Sequence, residues 1–211
     1  MARKIAQVDS PVYNDPSMET TATSARERIL STAHDLFYRD GIRATGVDRL
    51  IAESGVAKLT FYRHFPSKDD LVRAFLDHRH RRWMAWFIDA LGRHGATAAD
   101  GRDPLLPLAA VLQEWCEDPA FRGCAFINSA VEIAQALPEA LPIGRAHKAE
   151  MTEVIAQLLP AHPDRESLAE AAALAFDGAI VRAQMAADAR ERRAVVESLR
   201  RVLRALGTQP G

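Results

Sequence analysis

Apolar positions along this chain recur at three- and four-residue intervals, the spacing of one helix face, and no stretch alternates as a half-buried strand would. The first run, Ile29, Leu30, Ala33, Leu36 and Phe37, opens after Ser24 and Glu27, which have capping-box spacing, and stops at Gly41. A short second run, Val47, Leu50 and Ile51, follows Thr45, which reads as its N-cap with Asp48 in the first turn. Gly55 interrupts it, residues 58–64 resume a helical pattern, and Pro66 ends that piece. Ser67 caps a longer segment bearing Leu71, Phe75, Trp83, Phe87 and Leu91. At 1.5 Å per residue, positions 68–93 would span about 39 Å, long enough to leave one domain and enter another. Residues 92–104, rich in Gly, Ala and Asp, read as a loop. Further helices are predicted at 105–117, 122–136, 143–159, 165–187 and 191–206, separated by Pro119, Pro138, Pro142, Pro160 and Pro163. The expected fold is all-α. An arm (residues 1–23) precedes a three-helix unit (24–70), and a long helix joins that unit to a larger helical body (71–211).

Composition places the chain among ordinary globular proteins: 211 residues, 48% hydrophobic and 26% charged. No apolar run approaches the roughly 20 residues of a membrane helix, and the N-terminal residues lack an apolar stretch of signal-peptide length, so a cytoplasmic protein is expected. The net charge of −1 conceals an asymmetry. Residues 24–82 hold 12 Lys/Arg against 8 Asp/Glu, while residues 83–211 hold 13 against 17. A positive unit on a negative body suits a protein of which one part meets phosphates. In the arm the cations are Arg3 and Lys4.

Two short helices around Gly55 have the makings of a helix-turn-helix, which needs a small residue at the turn, apolar residues locking the helices, and a polar outer face. Val47, Leu50, Ile51, Val56, Phe61 and Phe65 supply the lock. Lys58, Thr60, Tyr62, Arg63 and His64 are left to face outward, and such side chains donate to guanine edges or phosphate oxygens. Tyr62 and His64 can alternatively be read as core residues of a plain three-helix bundle, and Lys68 as a solvated lysine.

From Gly41 to Leu71 the sequence resembles the tetracycline-repressor (TetR) family of bacterial regulators. The string that carries it holds Gly41, Thr45, Val47, Leu50, Ile51 and Ala52, then Gly55, Val56, Thr60, Tyr62, His64, Phe65, Lys68 and Leu71. The resemblance implies a DNA-binding homodimer, usually a repressor, whose N-terminal units hold a palindromic operator and whose C-terminal body senses a small molecule. It implies phosphate contacts at Thr45, Tyr62, His64 and Lys68, and base contacts near Lys58, Leu59, Thr60 and Arg63. Two positions depart from the pattern. Ala57 stands where a capping Ser or Thr is usual, and Leu59 where a small residue is common; Leu59 is suited to packing on a thymine methyl.

In the body, the string from Phe121 through Cys124, Phe126 and Asn128 to Glu132, and a second from Phe176 to Ile180, look like segments of many family members. Trp83, Trp86, Phe87, Trp115, Phe121, Phe126, Phe176 and Met185, with Asn128, His147 and Gln184 as polar partners, form a candidate pocket for a largely apolar ligand, or else plain core. Leu168, Ala172, Ala175, Phe176 and Ala179 make one stripe, and Val195, Leu199, Val202, Leu203 and Leu206 a second. They predict a two-fold, four-helix dimer interface, the alternative being packing within one subunit.

Cys116 and Cys124, across Pro119 and Gly123, allow a redox-switched regulator as an alternative, though buried thiols are the simpler reading. His78 and His80 are two apart and cannot share a helix face, so no metal site is expected. Neither a phosphate loop nor a nucleophile elbow is present, and an enzyme and a cofactor are not expected. An architectural DNA protein would be basic throughout. The expected effector mechanism is a ligand-driven shift of the long helix that changes the spacing of two DNA-reading units.

Overall fold

The structure, a computed structural model, describes residues 24–97 and 103–207; the arm with Arg3 and Lys4 lies outside them. The described residues form nine α-helices and no strand. α1 (Ala25–Asp40) begins at a complete capping box: Ser24 Oγ accepts from the Glu27 N–H at 3.2 Å, and Glu27 Oε2 accepts from the Ser24 N–H at 2.9 Å. α2 (Val47–Ser54) starts differently from expectation, because its N-cap is Gly46 and no side chain caps it. Thr45 instead turns inward, wholly buried, and its hydroxyl donates to the Gly41 carbonyl at 2.7 Å. Gly55 adopts the left-handed conformation (φ +64°) that lets the chain reverse into α3 (Lys58–His64).

α4 (Lys68–Thr97) starts at Ser67, which exchanges hydrogen bonds with Asp70 as a capping pair. At 30 residues it is about 45 Å long and continues through residues 92–97, which read as loop. α5 (Leu106–Glu117), α6 (Ala125–Ile133), α7 (Ala140–Ala156), α8 (Arg165–Met185) and α9 (Ala189–Gly207) complete the body. Pro142 separates nothing: it sits in the first turn of α7, where a missing N–H leaves no helical bond unmade.

α4 belongs to both parts. Near its start it packs on α1, where the Phe75 ring meets Phe37 edge-on and Leu71 and Leu76 are buried, and further along it packs on α5 and α7. α8 lies against α7 and α9, and α9 against α5. One continuous apolar core results, from Ile29 and Leu50 at one end to Leu199 and Leu203 at the other. No described helix is long and apolar enough to cross a membrane.

Candidate nucleic-acid interface

α3 is anchored by Phe61 and Phe65, both buried, and packs on α1, with Leu50 and Val56 buried in the same core. With that face fixed, helical periodicity sends Lys58, Leu59, Tyr62 and Arg63 to solvent. Leu59 is 74% exposed and Tyr62 41%, so Tyr62 is not a core residue; its ring meets Phe61 edge-on, with centroids 5.4 Å apart. Thr60 and His64 are half-buried at the flank. Lys58 Nζ lies 3.7 Å from the exposed Asp48 carboxylate, a loose surface pair that a phosphate could displace. Arg26 stacks its guanidinium on Phe65 at 5.3 Å, adding a cation beside the end of α3.

Two members of the expected phosphate set sit otherwise. The Thr45 side chain cannot reach a phosphate, since it is buried and its hydroxyl is engaged with Gly41. Lys68 Nζ donates to the Ile42 carbonyl at 2.5 Å, and partial burial lowers the pKa of its ammonium. Lys68 therefore braces the turn between α1 and α2.

The body departs from its expected pocket more sharply. Trp83 stacks on Phe87 (4.6 Å) and meets Trp115 (5.6 Å) and His147 (5.0 Å); Trp86 meets Trp115 (6.0 Å), Phe87 meets Phe176 (5.8 Å), and Trp115 meets Phe121 (5.2 Å). These rings pack on one another as core. The indole N–H groups of Trp83 and Trp115 are buried and have no acceptor among the described residues. Met185 is 80% exposed on the outer face of α8 and is not part of the cluster. Gln184 and Asn128 also turn away from it: the Gln184 amide donates to Asn128 Oδ1 at 3.2 Å on the α6–α8 surface. Of the expected pocket residues, Phe126 reaches an open groove of about 480 Å³, lined also by Ile127, Ala130, Leu141, Gly144 and Lys148 between α6 and α7.

His147, stacked on Phe126 at 3.8 Å, lies beneath that groove. Its Nδ1 is 3.1 Å from His80 Nδ1, and His80 Nε2 is 3.1 Å from Glu150. Burial drives the His147 pKa down to about 2, so it is neutral at physiological pH. Among the described residues no cluster of His, Cys, Asp and Glu is arranged to hold a metal.

The outermost helices carry a second correction. Ala172, Ala179 and Leu199 are buried within the chain, and Phe176 and Leu203 with them, because α8 and α9 turn these positions toward each other and toward α5 and α7. Leu168, Ala175, Val195 and Leu206 are half-buried. The outward apolar face is instead Leu174, Val181 and Met185 on α8, with Val202 on α9. A groove of about 400 Å³ between the two helices is lined by Met185, Ala194 and Val195.

Cys116 and Cys124 are both buried free thiols, and burial raises the Cys116 pKa to about 11. Two residues carry weight that no local pattern announces. Arg79 is buried, with its guanidinium 4.0 Å from the Tyr38 ring and 3.2 Å from His34. Glu132 reaches from α6 to the turn after α1. Their partners lie dozens of residues away, so spacing could not point to them.

A short helix with a polar outer face, backed by two phenylalanines and preceded by a glycine turn, defines a helix-turn-helix protein. The profile described as "Bacterial regulatory proteins, tetR family" matches residues 29–75. A TetR transcriptional regulator from Streptomyces avermitilis is 32% identical, with a TM-score of 0.68 over 88% of this chain and all of that one. A TetR-family transcriptional regulator from Streptomyces coelicolor gives a TM-score of 0.74 at 29% identity, over 87% of this chain and 90% of its own. An HTH-type transcriptional repressor of Mycobacterium tuberculosis is 36% identical over 98 residues, which are 42% of this chain and 52% of the relative. The chain thus spans about half the length of the curated relatives it matches. It belongs to the TetR family of bacterial regulatory proteins.

Proposed function

We propose that the protein is a cytoplasmic, homodimeric repressor that binds a palindromic operator and is released by a small, largely apolar ligand. The observation that carries this reading is α3, with Lys58, Leu59, Tyr62 and Arg63 exposed on a helix locked in place by Phe61 and Phe65. A recognition helix so held enters the major groove with Arg63 and Lys58 at base edges, Leu59 against a thymine methyl, and Tyr62 and His64 at phosphates. The Mycobacterium tuberculosis relative is named a repressor, which favours repression over activation.

The outward face of Leu174, Val181 and Met185, beside Val202, supports a two-fold interface in which α8 and α9 of two copies form a four-helix bundle. The groove lined by Phe126, Ile127, Ala130 and Leu141, with Lys148 and Thr152 also in its wall, supports a largely apolar effector with a few polar groups. Ligand binding there acts on α4, which bears both Trp83 and the head-packing Leu71 and Phe75. Such a ligand works only by preferring one arrangement of the heads, so DNA must weaken its binding by the same factor.

Selection of duplexes from a random pool by the full-length protein tests the reading. Enrichment of a palindrome bound with a salt-dependent Kd is expected; a pool that stays random after repeated rounds refutes it. The redox alternative is disfavoured by the burial of both thiols and by the raised pKa of Cys116, which leaves that group little thiolate at neutral pH.

A further inference from the structure

The turn between α1 and α2 is held from three sides. Thr45 donates to the Gly41 carbonyl (2.7 Å) and Lys68 to the Ile42 carbonyl (2.5 Å). The third partner comes from the body: Glu132 Oε2 accepts from the Ile42 N–H at 3.1 Å, and Oε1 from the Arg43 N–H at 2.6 Å. The turn is shaped for this carboxylate. Gly41 has φ +93°, and a Cβ added there would stand 3.1 Å from Glu132 Oε1. Two backbone donors on one carboxylate group form a paired contact, and bonds to a carboxylate are stronger than neutral bonds of the same length.

A second link lies close by. The Tyr38 hydroxyl donates to the Gly123 carbonyl at 2.9 Å and accepts from the Arg122 N–H at 3.0 Å, tying α1 to the loop that leads into α6. α4 connects the reading head to the body covalently and packs on α1. α6 and its leading loop are the second strut. The same helix gives Phe126, Ile127 and Ala130 to the wall of the groove.

We infer that Glu132 is a positioning residue for DNA reading: its carboxylate caps the α1–α2 turn, sets the tilt of α2 and α3 on the body, and carries displacements of α6 to α3. The DNA part of this inference rests on the function proposed above. The test uses full-length protein and a duplex selected by the wild type from a random pool, with two readouts: hydrogen exchange of the peptide spanning residues 38–46, and duplex affinity by fluorescence anisotropy.

Loss of charge-assisted bonds predicts that E132A exchanges about tenfold faster in the turn and binds the duplex about tenfold more weakly or worse. Exchange in α5 and α8 should stay unchanged. E132Q keeps one acceptor oxygen and should fall between; if E132A does not fold, E132Q carries the comparison. R73A removes the Arg73–Glu139 and Arg73–Asp70 ion pairs, neither of which touches the turn, and should match wild type in the exchange of residues 38–46 and in duplex affinity. Wild-type exchange and affinity in E132A and E132Q would overturn the inference. So would faster exchange throughout the body, or an equal loss in R73A. If the wild type enriches no duplex, the DNA-binding reading fails, and the exchange data alone still decide whether Glu132 holds the turn.

Discussion

Arg63 and Tyr62 are neighbours on α3, and both are exposed, yet their chemistry assigns them different work. A guanidinium is read against a base edge and a phenol against a phosphate. Arg63→Ala should therefore relax preference at particular base pairs at a cost of about 1–3 kcal/mol, whereas Tyr62→Ala should weaken operator and scrambled duplexes alike. Anisotropy titrations on a panel of single-base variants separate the two patterns. Ala57, the N-cap of α3, makes no side-chain cap hydrogen bond. Ala57→Ser should add about 1 kcal/mol, which for a chain of this size raises Tm by roughly 2–4 °C in calorimetry. No increase would mean that water or a neighbour already satisfies the first turn of α3.

At the scale of elements, burial decides which apolar stripe is free to associate. Leu174→Asp or Met185→Asp alters side chains that already face solvent, so helix content should persist while sedimentation shifts from dimer to monomer. Leu199→Asp places a charge in the core and should unfold the chain instead. The helices themselves were legible because caps and periodicity are local: Ser24 with Glu27, Gly55, and Ser67 with Asp70 all act where the pattern places them. The end of α4 was not. Gly92 and Gly95 read as breakers, but α4 continues past them against α5, where Glu114 receives both Arg93 (2.6 Å) and His94 (2.7 Å). Tertiary contact there outweighs the roughly 1 kcal/mol cost of each helical glycine. For the alanine-rich stripe of α8, spacing identifies an apolar face and cannot say whether the neighbour is α7 and α9 or another chain.

For the whole molecule, the body stores polar groups inside an aromatic core, and their protonation links its stability to pH. His147 has a folded pKa of about 2, well below the ordinary histidine value, because burial disfavours the cation. The unfolded chain binds that proton more readily, so stability is complete above about pH 6.5 and declines as pH falls toward 2, by at most about 1.4 kcal/mol per unit for this group. A His147→Leu variant should show a shallower fall in Tm between pH 7 and 5 than wild type, and parallel curves would remove His147 as the source. Much of the reading head followed from residues close in sequence. The functional joint did not, since Glu132 meets the Ile42 amide across 90 positions.

If the exposed face of Leu174, Val181 and Met185 pairs two copies as proposed, it governs how the protein responds to its own abundance. With the paired form as the reader of a palindrome, occupancy below the dimer dissociation constant rises with the square of the number of chains in the cell. Halving the gene dose would then cut the bound fraction to about a quarter at low occupancy, and a single hydrophobic strip on α8 would set the expression level at which silencing begins.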